Sequence, residues 1–121
     1  MSVGEPEAKN MTTQTGVRRS ERVLLDVPVV VCGDSPDHRA FREETFTVTV
    51  SAHGALLMLE NKVALGQKIV VMNPKNWDER ECRVAYIGPD RAGLAQVAVE
   101  FPQASPDFWS LESPPSNWKM N

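Results

Sequence analysis

The sequence contains few of the residues on which disulfide-bonded or metal-binding proteins depend. Among 121 residues there are two cysteines, Cys32 and Cys82, and two histidines, His38 and His53. Two cysteines cannot supply a disulfide framework, and these four residues lack the regular spacing of a zinc site. We therefore expect reduced, packed thiols, no bound metal and no cofactor.

Long hydrophobic runs and an excess of positive charge are also missing. The wholly apolar runs are far shorter than the ~20 residues that span a bilayer, and residues 1–16 lack the apolar stretch of a secretion signal. The net charge is −3 and only 7% of residues are aromatic, whereas binding of single-stranded nucleic acid needs a basic groove with aromatic platforms. These features predict a cytoplasmic protein with neither membrane insertion nor a nucleic acid polymer as partner.

What the sequence does contain is a series of short β-branched runs separated by turn residues. In chain order the runs read RVLLDVPVVV, TFTVTVS, ALLMLE, KIVVMN, ECRVAYIG and LAQVAVEF. Six short strands with hardly any helix between them predict an antiparallel barrel or sandwich. In a barrel, closure of the sheet would also remove its exposed edges.

The two ends of the chain have a different character. Residues 1–16 are small and polar without a periodic apolar pattern, which predicts a disordered lead-in. The segment SPDFWSLE starts with Ser105 as a helix N-cap and Pro106 at the first helical position, so a short helix should pack on the barrel. Residues 113–121 are expected to form a flexible tail.

Alternation within the strands predicts which side chains face the core. In TFTVTVS one face should be buried and the other wet. The predicted inward set there is Phe46, Val48 and Val50, and the outward set is Thr45, Thr47, Thr49 and Ser51. The predicted inward set of LAQVAVEF is Ala95, Val97, Val99 and Phe101. Tyr86 is expected in the core with Cys82 and Val84, and Trp77 is expected to pack on the barrel.

Three arginines lie within five positions immediately before the first strand. Arg18, Arg19 and Arg22 concentrate positive charge in a slightly acidic chain. They could form a solvated face that Glu21 partly neutralises, or they could close around an anionic ligand. Closure around a ligand is favoured by the outward hydroxyls at the end of TFTVTVS, which lie beside the sharp turn AHG.

The arginine spacing, the strand end TVSAHG and the barrel pattern together resemble the PilZ domain family. In that family an RxxxR hook and a [D/N]xSxxG motif at the end of the second strand bind the bacterial second messenger cyclic di-GMP. The resemblance implies that Arg18 and Arg22 belong to the hook, and that Ser51 and Gly54 occupy the serine and glycine positions. It also implies an all-β fold, a six-stranded antiparallel β-barrel with a short C-terminal helix.

The resemblance covers residues 17–112, which we take as one domain, and one motif position departs from the family. Thr49 stands where the family has Asp or Asn. A guanine presents two neighbouring N–H donors, and one hydroxyl cannot accept both as a carboxylate does, so this residue predicts weakened binding. Guanidinium groups suit the rest of the ligand because they bond phosphates bidentately and stack on purines. The candidate ligand-binding residues are Arg18, Arg19, Arg22, Thr49, Ser51 and Gly54.

Two functions are compatible with this resemblance. The leading hypothesis is a non-catalytic cyclic di-GMP receptor of the bacterial cytoplasm, whose hook closes over the dinucleotide and which acts on an unidentified protein partner. The alternative is a PilZ-fold adaptor that binds proteins and no nucleotide, an interpretation favoured by Thr49. An enzyme is not expected, because His53 lies near Ser51 without a third orienting group and should be an exposed turn residue.

Overall fold

The β-branched runs form seven antiparallel strands in the computed structural model, which describes residues 20–118. The strands are β1 (Val23–Leu24), β2 (Pro28–Asp34), β3 (Ala40–Ser51), β4 (Gly54–Leu59), β5 (Lys68–Asn73), β6 (Asp78–Ile87) and β7 (Ala95–Glu100). A turn of 3-10 helix, Ser116–Trp118, follows them. The predicted disordered lead-in, residues 1–16, lies outside the described residues, as do Arg18 and Arg19.

Six of these strands close into a barrel. Their order is β3–β2–β5–β6–β7–β4, and a further pairing between β3 and β4 completes the ring. The long strand β3 pairs with β2 along its first half and with β1 near its end, where Val23 faces Val50. The predicted all-β, six-stranded antiparallel barrel is confirmed, whereas the domain bounds 17–112 and 113–121 stay predictions.

Strands β1 and β2 come from one predicted strand, which the structure divides at residues 25–27. There the hydroxyl of Thr47 on β3 accepts a hydrogen bond from Val27 N (2.9 Å) and donates one to Leu25 O (2.5 Å). Thr47 is completely buried, and a buried hydroxyl is stable only with such partners. Pro28, which has no N–H to contribute to a ladder, is the first residue of β2.

Branched aliphatic side chains fill the barrel, and a group of aromatic rings packs against them where β7 ends. The rings of Phe108 and Trp109 are perpendicular with centroids 4.8 Å apart, and Phe101 lies 5.3 Å from Phe108. Edge-to-face contacts of this kind add to the stabilisation from apolar burial. Val97, Val99 and Phe101 are buried, which confirms the inward set predicted for this strand at those positions.

A β-bulge in β3 reverses the side-chain alternation half-way along the strand. The register with β4 shifts by one residue between Thr47 and Thr49, and an extra residue in a strand exchanges its inner and outer faces. Before the bulge the predicted faces are wrong, since Phe46 is 51% exposed and Thr47 is buried. After the bulge they are right, since Val50 is buried while Thr49 and Ser51 are partly exposed.

A second bulge, in β6 between Val84 and Tyr86, has the same effect on its register with β7. Val84 is buried, but Ala85 and Tyr86 are both exposed, so the prediction of Tyr86 as a core residue is wrong. The packing prediction for Trp77 is wrong as well. Trp77 is 72% exposed and lies in the β5–β6 turn with a φ of 63°, a left-handed conformation that turns its side chain away from the barrel.

The short C-terminal helix is present but displaced from its predicted position. SPDFWSLE forms a turn in which Phe108 N donates to Ser105 O (3.1 Å), and Ser110 has a φ of 57°, which ends any right-handed helix there. The 3-10 helix comes later, and its last residue, Trp118, is buried against the core. Within residues 20–118, no helix is long and apolar enough to span a membrane.

Candidate ligand-binding site

A cavity of about 420 Å³ lies on the outer wall of the barrel beside the β3–β4 turn. It is lined by residues from the segment before β1 and from β3, β4, β6 and β7. Arg22, Thr49, Ser51 and Gly54 all line it, so the structure brings together the four candidate residues that fall within residues 20–118.

One wall of the cavity is a cross-strand row of outward residues, Thr49, Leu56, Ala98 and Tyr86, which we call the threonine row. Thr49 pairs with Leu56, Leu56 with Ala98, and Ala98 with Tyr86. Since neighbouring strands lie ~4.8 Å apart, the row extends about 14 Å across four strands. The two bulges create it, because without them Thr49 and Tyr86 could not share the outer face with the residues between them.

A second cross-strand row, the serine row, consists of Ser51, Gly54, Glu100 and Arg83. Ser51 pairs with Gly54, Gly54 with Glu100, and Glu100 with Arg83. Because Gly54 has no side chain, a shallow gap separates the Ser51 hydroxyl from the Glu100 carboxylate. Arg83 Nη2 donates to Glu100 Oε1 at 2.8 Å, and both side chains remain partly exposed.

The glycine at position 54 is required by the packing of the strands themselves. A Cβ added there would overlap the carbonyl oxygen of Val99 and would lie 3.1 Å from the Val99 carbonyl carbon and 3.2 Å from Glu100 Cα. Backbone atoms of a paired strand cannot move aside as a flexible side chain can. Gly54 therefore allows β4 to approach β7, and this close approach shapes the gap in the serine row.

The β3–β4 turn that carries the motif is fixed by hydrogen bonds to the C-terminal segment. Trp109 Nε1 donates to Ser51 O (2.9 Å), Phe101 N to His53 O (2.8 Å) and Ser105 N to Ala52 O (2.7 Å). Within the turn, His53 N donates to Ser51 Oγ (3.2 Å). The Ser51 hydroxyl is thus held at the cavity by its own turn.

The hook, residues 18–22, is described from Ser20 onward, and this part is anchored to the barrel. Ser20 is buried, and its Oγ lies 3.0 Å from His53 Nδ1. Glu21 N donates to Asn117 Oδ1 (3.2 Å), and Trp118 Nε1 donates to Glu21 O (2.6 Å). His53, expected as an exposed turn residue, is instead partly buried in this contact.

Arg22 follows these anchored residues and faces the cavity with its side chain exposed. No residue within 20–118 forms a hydrogen bond or ion pair with its guanidinium, which carries five N–H donors. No group of three His, Cys, Asp or Glu side chains among those residues could hold a metal ion. The polar groups that line the cavity include the guanidinium of Arg22, the hydroxyls of Thr49 and Ser51 and the carboxylate of Glu100.

The cavity residues that sequence reasoning missed include Tyr86, Gln96 and Glu100. Alternation in β7 places Gln96 and Glu100 outward once Val97 and Val99 are taken as core, so their exposure was readable from the sequence. Their proximity to Ser51 was not, because it depends on β7 pairing with β4. Tyr86 was hidden by the bulge.

The sequence matches the PilZ domain family over residues 17–110. The chain belongs to the PilZ domain family. The matched region contains the hook, the strands β3 and β4 that carry the motif, and the whole barrel. The resemblance carried by Arg22, Ser51 and Gly54 is therefore confirmed at the level of the family.

Two solved structures share the PilZ barrel of this chain. The Bacillus subtilis inhibitor of motility MotI/DgrA matches with a TM-score of 0.50 and 16% identity, over 74% of this chain and 44% of its own. Escherichia coli YcgR in complex with cyclic di-GMP matches with a TM-score of 0.50 and 19% identity, over 74% of this chain and 39% of its own. This chain thus spans less than half the length of either protein, and the likeness establishes the fold. No curated protein sequence matches the chain.

Proposed function

We propose that this PilZ domain is a non-catalytic receptor for cyclic di-GMP in the bacterial cytoplasm. The observation that carries the proposal is the single cavity that unites Arg22 of the hook with Thr49, Ser51 and Gly54 of the motif. The complex of the similar E. coli protein YcgR with cyclic di-GMP supports the choice of ligand.

The residues of the cavity suit the parts of this dinucleotide. The ligand carries two phosphates and two guanines, and a guanidinium can bond phosphate oxygens bidentately or stack on a purine face. In the proposed complex Arg22 bonds one phosphate, and Ser51 adds a hydroxyl contact. The bases lie along the threonine and serine rows, where the small residues Ala98 and Gly54 leave room for flat rings.

The hook supplies the mechanism of response. Ser20 and Glu21 are already bonded to the barrel and the 3-10 helix, so ordering Arg22 costs side-chain entropy but little backbone entropy. In the proposed complex Arg18 and Arg19 bond the second phosphate, and the closed hook presents a new surface to a protein partner.

Calorimetric titration with cyclic di-GMP tests the proposal. We expect a saturable heat with the wild type, and a 10- to 150-fold weaker affinity for Arg22→Ala, about 1.5–3 kcal/mol for a charge-assisted bond. Arg42→Ala is the matched control, since Arg42 is an exposed β3 arginine that is paired with Glu44 and does not line the cavity. Absence of heat from folded wild-type protein at high micromolar ligand would refute the receptor.

Thr49 favours a second candidate function, a PilZ adaptor that binds proteins and no nucleotide. It offers one hydroxyl at the position where the family has a carboxylate or amide. Capture of partners from a bacterial lysate, with and without added cyclic di-GMP, separates the two functions. Capture that ignores the nucleotide supports the adaptor, and capture that depends on it supports the receptor.

A further inference from the structure

A carboxylate in the cavity of a receptor for a doubly anionic ligand requires an explanation. Glu100 is the only acidic residue among the described residues that line the cavity. It is the last residue of β7 and faces Ser51 across the gap left by Gly54. A negative charge there repels phosphates, so its favourable use in the complex must be a contact with another part of the ligand.

The part of cyclic di-GMP that a carboxylate recognises is the Watson–Crick edge of guanine. That edge presents N1–H and N2–H donors side by side, and two carboxylate oxygens accept both. Thr49 cannot do so, because its single oxygen lies at one point. In the proposed complex the site therefore has to recognise a guanine, and Glu100 supplies the carboxylate that can do so.

The surroundings of Glu100 keep its carboxylate available. Arg83 Nη2 donates to Oε1, and no residue within 20–118 donates to Oε2. Each carboxylate oxygen has about two acceptor sites, so Oε1 can accept a second hydrogen bond while the ion pair persists. The pair is partly exposed on the rim, where such pairs contribute only ~0–1 kcal/mol and can rearrange at little cost.

Tyr86 completes the arrangement. It pairs with Ala98, two residues before Glu100 on the same outer face, so Tyr86 and Glu100 are diagonal neighbours about 7–8 Å apart. The tyrosine ring is 51% exposed. A base stacked on this ring would lie on the same outer face as the carboxylate, and stacking on an aromatic side chain contributes ~1–3 kcal/mol per base.

We propose that Glu100 is a specificity-determining residue of this site, whose carboxylate accepts the N1–H and N2–H donors of a guanine stacked on Tyr86. The inference rests on the proposed receptor function and deepens it. It assigns to β7 a contact that the motif position in β3 cannot make in this chain.

The test compares cyclic di-GMP with cyclic di-IMP, which has the same phosphates and N1–H groups but lacks the 2-amino groups. Wild-type protein should bind cyclic di-GMP at least five-fold more tightly than cyclic di-IMP. In Glu100→Ala this ratio should fall to within two-fold of unity. Using the ratio removes the uniform change in affinity that loss of a negative charge causes for both ligands.

Glu81→Ala is the control, because Glu81 is an exposed carboxylate on β6 that does not line the cavity; it should keep the wild-type ratio. Thermal unfolding checks that both variants are folded. A Glu100→Ala variant that binds cyclic di-GMP and keeps the wild-type preference would overturn this inference and leave the receptor standing. Failure of the wild type to bind cyclic di-GMP would overturn both.

Discussion

Thr49 is the residue at which this chain differs from the motif of its family, and its environment shows what the difference means. It is partly exposed, pairs with Leu24 and Leu56, and faces the cavity on the far side of the β3 bulge. A longer acidic side chain would project from the same position without meeting the core. We therefore expect this backbone position to suit the acceptor of the family motif, with only the acceptor group changed.

We therefore expect Thr49→Asp to bind cyclic di-GMP about 5- to 150-fold more tightly than the wild type, the value of one bidentate base contact of ~1–3 kcal/mol. The new carboxylate would read the guanine that lies away from Glu100. Calorimetric titration measures the change, and Thr49→Val, which keeps the shape and removes the hydroxyl, is the matched control. Equal or weaker binding by Thr49→Asp would show that this position does not face a base.

At the scale of the strands, the two bulges mark the limit of what the sequence could predict. Four of the six runs lie almost at their true positions, because β-branched alternation and turn residues are local signals; the first run is divided into two strands, and the second covers only the latter part of β3. The bulges at β3 and β6 are not, since each depends on which strand lies alongside. Thr49 and Ser51 were placed correctly because they follow the β3 bulge; Phe46, Thr47 and Tyr86 were not.

The site was predictable to a similar extent and for similar reasons. Ser51 and Gly54 are close in sequence and share one turn, so the motif located them directly. Glu100 and Tyr86 reach the cavity only through the pairing of β7 with β4 and β6. Those pairings are non-local, and periodicity within one strand carries no information about them. The C-terminal anchor of the hook was missed because 113–121 has no strand or helix pattern.

We expect the 3-10 helix to influence ligand binding, because it holds the described part of the hook through Trp118. Trp118→Phe keeps a buried ring and removes the Nε1–H that donates to Glu21 O. One net hydrogen bond contributes ~0.5–1.5 kcal/mol, so we expect about 2- to 12-fold weaker binding of cyclic di-GMP. Titration of the variant measures it.

The control is Trp77→Phe, the same chemical change at an exposed tryptophan of the β5–β6 turn. If Trp118 positions the hook, a second result is expected that general destabilisation of the fold would not produce. In the Arg22→Ala background, Trp118→Phe should cause a smaller loss than in the wild type, because one of the guanidinium groups that it positions is gone. Fully additive losses would contradict the role.

At the scale of the whole molecule, the closed barrel shields its interior from reagents. Cys82 is buried, and burial raises the pKa of its thiol to about 12. At pH 8 the thiol is therefore protonated, and the thiolate that reacts with alkylating agents is almost absent. Cys32 is only partly buried.

Alkylation with iodoacetamide at pH 8, followed by mass spectrometry, should accordingly modify Cys32 first. Cys82 should become reactive only when the barrel opens globally, so its rate should rise steeply with denaturant. Bound cyclic di-GMP should slow the reaction further, as any ligand specific for the folded state does. Equal labelling rates for the two thiols in native protein would contradict a closed barrel.

The contact between Trp118 and Glu21 has a geometrical consequence for signalling. The two ends of residues 20–118 meet beside the cavity, since Ser20 lines it and Trp118 donates to Glu21 O. In the proposed receptor, a segment joined to either end of residues 20–118 would be tethered at a point beside the bound dinucleotide. In that receptor, we expect a small displacement of the Arg22 guanidinium to affect both ends together, without transmission through the β-barrel.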